Sequence, residues 1–350
     1  MNGIEYSGIN NFEGTLVVAE ISANHKGDLD KAKALVRAAK DAGADAVKFQ
    51  TYTAETITLN SSSGDFLLPT ESPWIKFGTY FELYLDAFTP WEWHSELFNL
   101  ATELDLIPFS SPFDESAVEF LESLNCPIYK LASPEINHTP LIESIARTGK
   151  PIWISLGTAS EYDLVLAIST FRQISQSEIV LMQCETSYPA EESNSNLSML
   201  SRLSKEFNFS VGYSDHTVGI LAPVVATALG AKVIEKHLTD FDDDPSVDEF
   251  FSLKPDQFAK MVEQIRATEG MLGKQEFRSR GGANSTQRNQ RSIYPSTDIN
   301  AGELFSAENL KIVRPGLGLA PKMLVNLIGK RASRFIKAGE RIKAEDVLDL

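Results

Sequence analysis

The 350-residue chain has little of what would make it a disulfide scaffold, a membrane protein or a nucleic-acid binder. Its two cysteines, Cys126 and Cys184, lie in apolar segments without CxxC spacing. That argues against a disulfide framework or a cysteine metal site and makes both small core residues. No apolar run reaches the roughly 18 uncharged residues of a membrane span. The opening MNGIEYSGINNFEGTL has no basic stretch followed by an apolar one, so the expected location is the cytoplasm. Basic residues are scarce, 32 Lys and Arg against 48 Asp and Glu, and the net charge of −16 argues against nucleic acid and anionic membranes as partners. The cations for an anionic ligand must therefore be gathered inside a site. Histidine is rarer still, five in all, yet one stands between an acid and a hydroxyl in VGYSDHTVG, Val211 to Gly219.

What the chain does have is a regular alternation. Eight short apolar runs of strand type occur between residues 15 and 272: LVVAEI (16–21), AVKFQ (46–50), LIPFS (106–110), IYKLA (128–132), IWISL (152–156), IVLMQ (179–183), VGYS (211–214) and KVIEK (232–236). Each precedes a segment with helical periodicity. In 28–43, Asp28 is the expected N-cap, Leu29, Ala32, Leu35, Val36 and Ala39 share one face, and Gly43 ends the helix. Eight such units predict an α/β protein, a closed (β/α)8 TIM barrel over residues 1–272 rather than an open doubly wound sheet. One connection, 51–89, is unusually long, polar and aromatic, as functional loops are. Thr89, Pro90 and Glu92 read as N-cap, first turn and capping box of the helix that follows, and His94 on it reads as structural.

Residues 273–290 read as a polar linker. In the remainder, 291–350, INAGELFSAENL (299–310) and IKAGERIKAEDV (336–347) echo one another at an offset of 37. The echo predicts a small, pseudo-symmetric, β-rich domain, too small to be very stable without a surface to dock on.

At a barrel's mouth, the C-terminal strand ends converge. They present Glu20, Asn24 and His25; Lys48 and Gln50; Ser110 and Ser111; Lys130, Ser133 and Glu135; Ser155; Gln183; Ser214, Asp215 and His216; and Glu235, Lys236 and His237. Lysines 48 and 130 with several hydroxyls are what a phosphate ester needs, and two histidines on adjacent strands suit a divalent metal. Competing readings are structural: Glu20 as the ion-pair partner of Lys48, His216 as a hydrogen-bonded core residue. Two barrel lysines also raise Schiff-base aldolase chemistry, although strand 6 ends in Gln183 rather than lysine.

The fragments AEISANHKGDL, AGADAVKFQTY, FSSPFD, YKLAS, YSDHT, IEKHLT and RPGLGLAPK, in that order over nearly the whole chain, resemble the sialic acid (nonulosonic acid) synthase family. Its members condense phosphoenolpyruvate with an N-acylated amino sugar. SANH, TPWEWH and RPGLGLAPK look most like its pseudaminic acid synthase branch, with N-acetylneuraminate and legionaminic acid synthases as neighbours. The resemblance implies a divalent ion, Mn²⁺ or Mg²⁺, on His216 and His237, with Glu20 as the catalytic carboxylate. It implies phosphoenolpyruvate contacts from Lys48, Ser111, Lys130, Ser133, Ser155 and Ser214, and sugar contacts from Gln50, Glu135, Tyr188, Asp248 and Arg314. It also implies an antifreeze-like (SAF) C-terminal domain that caps the partner's barrel in a domain-swapped homodimer. Three departures stand out: Ser111 where threonine is common, Glu185 in CETSYP, which would bring negative charge toward an anion site, and PSVD after Asp242, Asp243 and Asp244 in place of a glycine-rich turn.

Overall fold

The computed structural model describes residues 6–240, 246–273 and 288–348. It divides into two compact units, Met1–Gly273 and Lys274–Leu350. The expected linker falls almost wholly, and the PSVD turn partly, outside the described residues.

In the first unit, strands β1 (Leu16–Glu20), β2 (Ala46–Thr51), β3 (Ile107–Pro112), β4 (Tyr129–Leu131), β5 (Ile152–Ser155), β6 (Ile179–Cys184), β7 (Ser210–Asp215) and β8 (Val233–His237) form a closed, all-parallel barrel. β1 closes on β8 with Glu20 opposite His237, and on β2 with Glu20 opposite Lys48. Such strands are covered on both faces and so read as continuous apolar runs. The covering helices are α1 (Leu29–Asp41), α3 (Trp91–Glu103), α4 (Glu115–Ser123), α5 (Thr139–Arg147), α6 (Glu161–Arg172), α7 (Met199–Phe207), α8 (Leu221–Ala228) and α9 (Pro255–Leu272), with α2 (Tyr80–Ala87) inserted before α3. Asp28 caps α1 as expected, accepting from the amides of Asp30 and Lys31, and Ala32, Leu35, Val36 and Ala39 are buried. None of the described helices is long and apolar enough to cross a membrane.

The start of α3 departs from expectation. Its N-cap is Pro90, with no side-chain cap, because the Thr89 hydroxyl is buried against His25 Nε2 at 3.0 Å. His94 is structural, its Nε2 lying 2.9 Å from Thr51 Oγ1.

The 51–89 connection packs its apolar residues with others from distant parts of the chain. It holds helical turns Ala54–Ile57, Gly64–Phe66 and Ile75–Phe77 before α2. Leu68, Leu83 and Ala87 bury with Ala23 and Val247, while Trp74, Phe77 and Tyr80 pack on that cluster. Trp74 Nε1 donates to Val247 O at 2.7 Å, fastening this segment to the one after β8.

The second unit pairs β9 (Ser292–Pro295) with β10 (Leu310–Val313) and β11 (Arg331–Ala332) with β12 (Val347–Leu348), both antiparallel. The sequence echo is a structural two-fold. Ile299 and Ile336 exchange backbone hydrogen bonds of 2.9 and 2.8 Å. Asn300 N donates to Glu303 Oε2, and Lys337 N, 37 residues on, to Glu340 Oε2. Ser306 N to Asn309 Oδ1 is repeated as Lys343 N to Asp346 Oδ2. Gly302 and Gly339 both have φ near +80°, where a Cβ would be strained.

Candidate active site

A cavity of about 450 Å³ opens at the C-terminal ends of the barrel strands, and its floor is charged. Lys48 Nζ lies 2.7 Å from Glu20 Oε2 and 3.5 Å from Glu235 Oε1; Lys130 Nζ lies 3.7 Å from the same Glu235 oxygen. All four groups are buried. The register produces this cluster, because Glu20 faces both Lys48 and His237, and Ser214 faces Glu235, which accepts from the Ser214 hydroxyl at 2.9 Å. Burial alone would push Glu235 up, but Lys130 and Lys48 outweigh it and hold its carboxyl below the usual range. Glu20 goes the other way. Burial, opposed by Lys48 and reinforced by Glu235, raises it to about 7, while its pairing holds Lys48 up and charged. Lys130, desolvated and facing Lys48, is lowered despite Glu235. Glu20 is thus both the ion-pair partner of Lys48 and a carboxyl able to exchange a proton near neutrality.

Neutral donors surround these charges. Lys48 Nζ donates to Ser111 Oγ at 3.3 Å. Ser155 Oγ is buried in the cavity wall without a partner. Ser133 lines the cavity; its Oγ accepts from Thr158 N at 2.7 Å and lies 3.1 Å from Thr158 Oγ1, whose hydroxyl donates to Ser133 O at 2.8 Å. Gln50 Nε2 donates to Glu20 Oε1 (3.1 Å) and Ser22 Oγ (3.0 Å). Asp248 Oδ2 accepts from the Ser22 hydroxyl, and burial raises its pKa. Glu135, in the turn after β4, is raised to about 7 by burial, and its Oε2 is unpartnered. Tyr188, at a cis Tyr188–Pro189 peptide, packs against His216 with centroids 4.6 Å apart and the rings tilted by 53°. Arg314 is exposed and belongs to the second unit.

The two histidines face one another, ring centroids 5.3 Å apart. Burial keeps both neutral, pushing His216 down to about 4 and His237 well below its usual value. His216 Nδ1 donates to Glu185 O at 2.7 Å, which leaves Nε2 with its lone pair free. His237 Nδ1 is a buried nitrogen without a hydrogen-bond partner, 4.0 Å from Asp248 Oδ2. Two neutral imidazoles on adjacent strands fit a borderline divalent cation; among the described residues no group of three or more His, Cys, Asp or Glu could hold one by itself.

VGYSDHTVG now reads by side-chain direction. Ser214 and His216 line the cavity, whereas Asp215 lies in a fully buried ion pair with Lys236, Oδ2 to Nζ 2.5 Å. The Thr217 amide and hydroxyl also donate to Asp215, and Lys236 reaches Thr217 O. Asp215 and Lys236 are therefore the structural clamp of β7 on β8, not part of the mouth.

Two further points depart from the sequence reading. The Glu185 carboxylate accepts from the Ser187 amide (3.0 Å) and hydroxyl (2.8 Å), and does not line this cavity; its carbonyl does the work, on His216. Glu235, presented by its strand but given no role, is the hub between both lysines. Its signal was alternation: residues 235 and 237 share a face and 236 has the other. The aromatic wall draws Tyr52, Trp74 and Tyr84 from the aromatic 51–89 connection, which the sequence marked only as a segment, and adds Phe113, which no local pattern marks.

Comparison with known proteins identifies the family. Residues 35–277 match the NeuB family and residues 290–348 the SAF domain. The chain is 44% identical to a pseudaminic acid synthase of Helicobacter pylori, over 95% of this chain and 97% of that one. It is 41% identical to a pseudaminic acid synthase of Campylobacter jejuni, over 98% and 99%. Among solved structures it resembles the N-acetylneuraminic acid synthetase of Leptospira borgpetersenii in complex with citrate, at 30% identity and TM-score 0.69 over 78% of this chain and 89% of that one. It also resembles the Bacillus subtilis spore coat polysaccharide biosynthesis protein spsE, at 34% identity and TM-score 0.64 over 96% and 95%. With its barrel and its C-terminal SAF domain, the chain belongs to the NeuB family.

Proposed function

We propose that this protein is a pseudaminic acid synthase, a cytoplasmic transferase that condenses phosphoenolpyruvate with 2,4-diacetamido-2,4,6-trideoxy-L-altrose and water to give pseudaminic acid and phosphate. The observation that carries the reading is the pair of buried lysines, joined through Glu235, facing two neutral histidines in one cavity. Its likeness to the Helicobacter and Campylobacter pseudaminic acid synthases supports this branch over the neuraminate and legionaminate ones.

In the reaction C3 of phosphoenolpyruvate bonds to the aldehyde carbon of the open-chain sugar, water adds to C2, and the C2–O bond to phosphate breaks. Lys48 and Lys130 hold the phosphate and carboxylate oxygens, Ser111 and Ser155 donate to them, and Ser133 and Ser214 turn their hydroxyls from Thr158 and Glu235 to do the same, so the gain is orientation and charge stabilisation. Glu20, raised to about 7, takes the proton of the adding water. Gln50, Glu135, Tyr188 and Asp248 hold the sugar. His216 and His237 would hold Mn²⁺ or Mg²⁺, which when bound supplies Lewis-acid polarisation of the aldehyde oxygen.

The working form is a homodimer in which Arg314 of one copy reaches the sugar site of the other. Charge supports this: residues 1–273 carry 18 basic against 40 acidic side chains, and residues 274–350 carry 14 against 8.

The test is phosphate release with phosphoenolpyruvate and each of three sugars: the altrose derivative, N-acetylmannosamine and the 6-deoxy-mannose-type diacetamido sugar. The altrose derivative should give the highest kcat/KM. A higher value for either of the others would move the protein to another branch of the family.

A further inference from the structure

One residue lining the cavity sits in a backbone conformation that its side chain disfavours. Ser22, in the buried turn Ser22–His25 after β1, has φ 46°, in the left-handed region that glycine enters freely and other residues rarely do. Both flanks hold it there. On one side Glu20 pairs with Lys48 and His237 across β1, and Ile21 N donates to Lys48 O at 3.0 Å. On the other, the Asn24 side chain donates to Leu238 O (2.8 Å) and Ser252 Oγ (2.9 Å) and accepts from the Ser246 hydroxyl. Glycine would meet that geometry without steric strain, so what serine adds is its hydroxyl.

That hydroxyl has two partners, and both line the same cavity. It accepts from Gln50 Nε2 at 3.0 Å and donates to Asp248 Oδ2. Gln50 Nε2 gives its other hydrogen to Glu20 Oε1 at 3.1 Å. Both amide hydrogens are thus engaged by the protein, and what Gln50 has left for a substrate is the acceptor Oε1. An amide is nearly symmetric in shape, so without Ser22 Oγ it is free to turn over and present a donor instead. Asp248, in the segment after β8, is tied through the same oxygen to Gln50 on β2.

We propose that Ser22 is a positioning residue for the condensation: its strained turn aims one hydroxyl so that Gln50 offers an acceptor to the sugar and Asp248 stands fixed beside it. This rests on the sugar-condensing reading of the site. The backbone strain is offset by preorganisation, since two groups are oriented before the substrate arrives. A role confined to holding the turn together would favour glycine at position 22, which takes the same φ and keeps the ties made by Asn24.

Ser22→Gly and Ser22→Ala each remove the hydroxyl, but only glycine relieves the backbone. Phosphate release by the full-length protein should show the same loss in both, roughly tenfold in kcat/KM for the altrose derivative, with KM for phosphoenolpyruvate moved less than about twofold. Urea unfolding should separate them, with Ser22→Gly the more stable. In a Gln50→Ala background, where there is no amide to aim, Ser22→Gly should cost no more than about threefold. Wild-type kcat/KM in Ser22→Gly overturns the proposal, and so does a loss confined to Ser22→Ala, which would tie activity to stability. An equal loss of phosphoenolpyruvate binding, or losses that multiply in full in the double variant, overturn it as well, because Ser22 would then act elsewhere than on Gln50. No phosphate release by the wild type with any sugar would instead overturn the synthase reading itself.

Discussion

Replacing Glu135 with glutamine separates the stability cost of the site from its use. The carboxyl is largely buried with Oε2 unpartnered, and desolvation lifts its pKa from 4.5 to about 7. Below pH 4.5 the group is protonated in folded and unfolded chains alike and costs nothing. Between 4.5 and 7 the unfolded chain ionises first, so stability falls as pH rises, and above 7 the loss is constant. With about 1.4 kcal/mol per unit, the penalty is about 1 kcal/mol at pH 5 and about 3 kcal/mol at pH 8. Glutamine does not titrate, so the advantage of Glu135→Gln over wild type should grow by about 2 kcal/mol between these pH values. Urea unfolding followed by tryptophan fluorescence reads this for the barrel alone, since Trp74, Trp91, Trp93 and Trp153 all lie in the first unit. The same variant should lose roughly tenfold in kcat/KM for the sugar, the worth of one charged hydrogen bond. A stability difference that stays flat with pH would refute the argument that burial raises the Glu135 carboxyl to about 7.

Other expectations follow from the same geometry. Phosphoenolpyruvate labelled with ¹⁸O at the bridging position should deliver the label to inorganic phosphate; label kept in the sugar acid would exclude C–O cleavage. Treatment with EDTA should abolish phosphate release, with Mn²⁺ or Mg²⁺ restoring it, and full retained activity would remove the ion from the proposal. Lys236→Met should destabilise the barrel by about 3–5 kcal/mol in denaturant titrations by stranding buried Asp215, and a second change, Asp215→Leu, should recover much of that. If the proposed homodimer is held by its oppositely charged units, raising salt from 0.05 to about 1 M should weaken association measured by sedimentation, and association unchanged by salt would refute that role for charge.

The barrel was legible because each buried parallel strand leaves the same mark, a short apolar run, and the ends found in the structure differ from the runs by a residue or two. Lys48, Lys130, His216 and His237 were legible because strand ends in a barrel have one place to go. The packing of 51–89 was not, since Leu68, Leu83 and Ala87 bury with Ala23 and Val247 from distant parts of the chain. Thr89 shows the converse. Its sequence context is that of a cap, but His25, 64 residues away, takes the hydroxyl, and tertiary contact overrides the local rule.

The two-fold inside the second unit has an evolutionary reading. Ile299 and Ile336 each supply the backbone partner the other lacks, so a single 37-residue repeat is half a domain with an open bonding edge. Such a contact is isologous, the kind that otherwise joins two copies of a subunit. The domain has the form of a small homodimer whose halves were fused into one polypeptide, which makes assembly intramolecular and independent of protein concentration. The halves differ in detail: Glu303 and Glu340 cap equivalent turns, while Leu304 in the first copy stands where the second has Arg341.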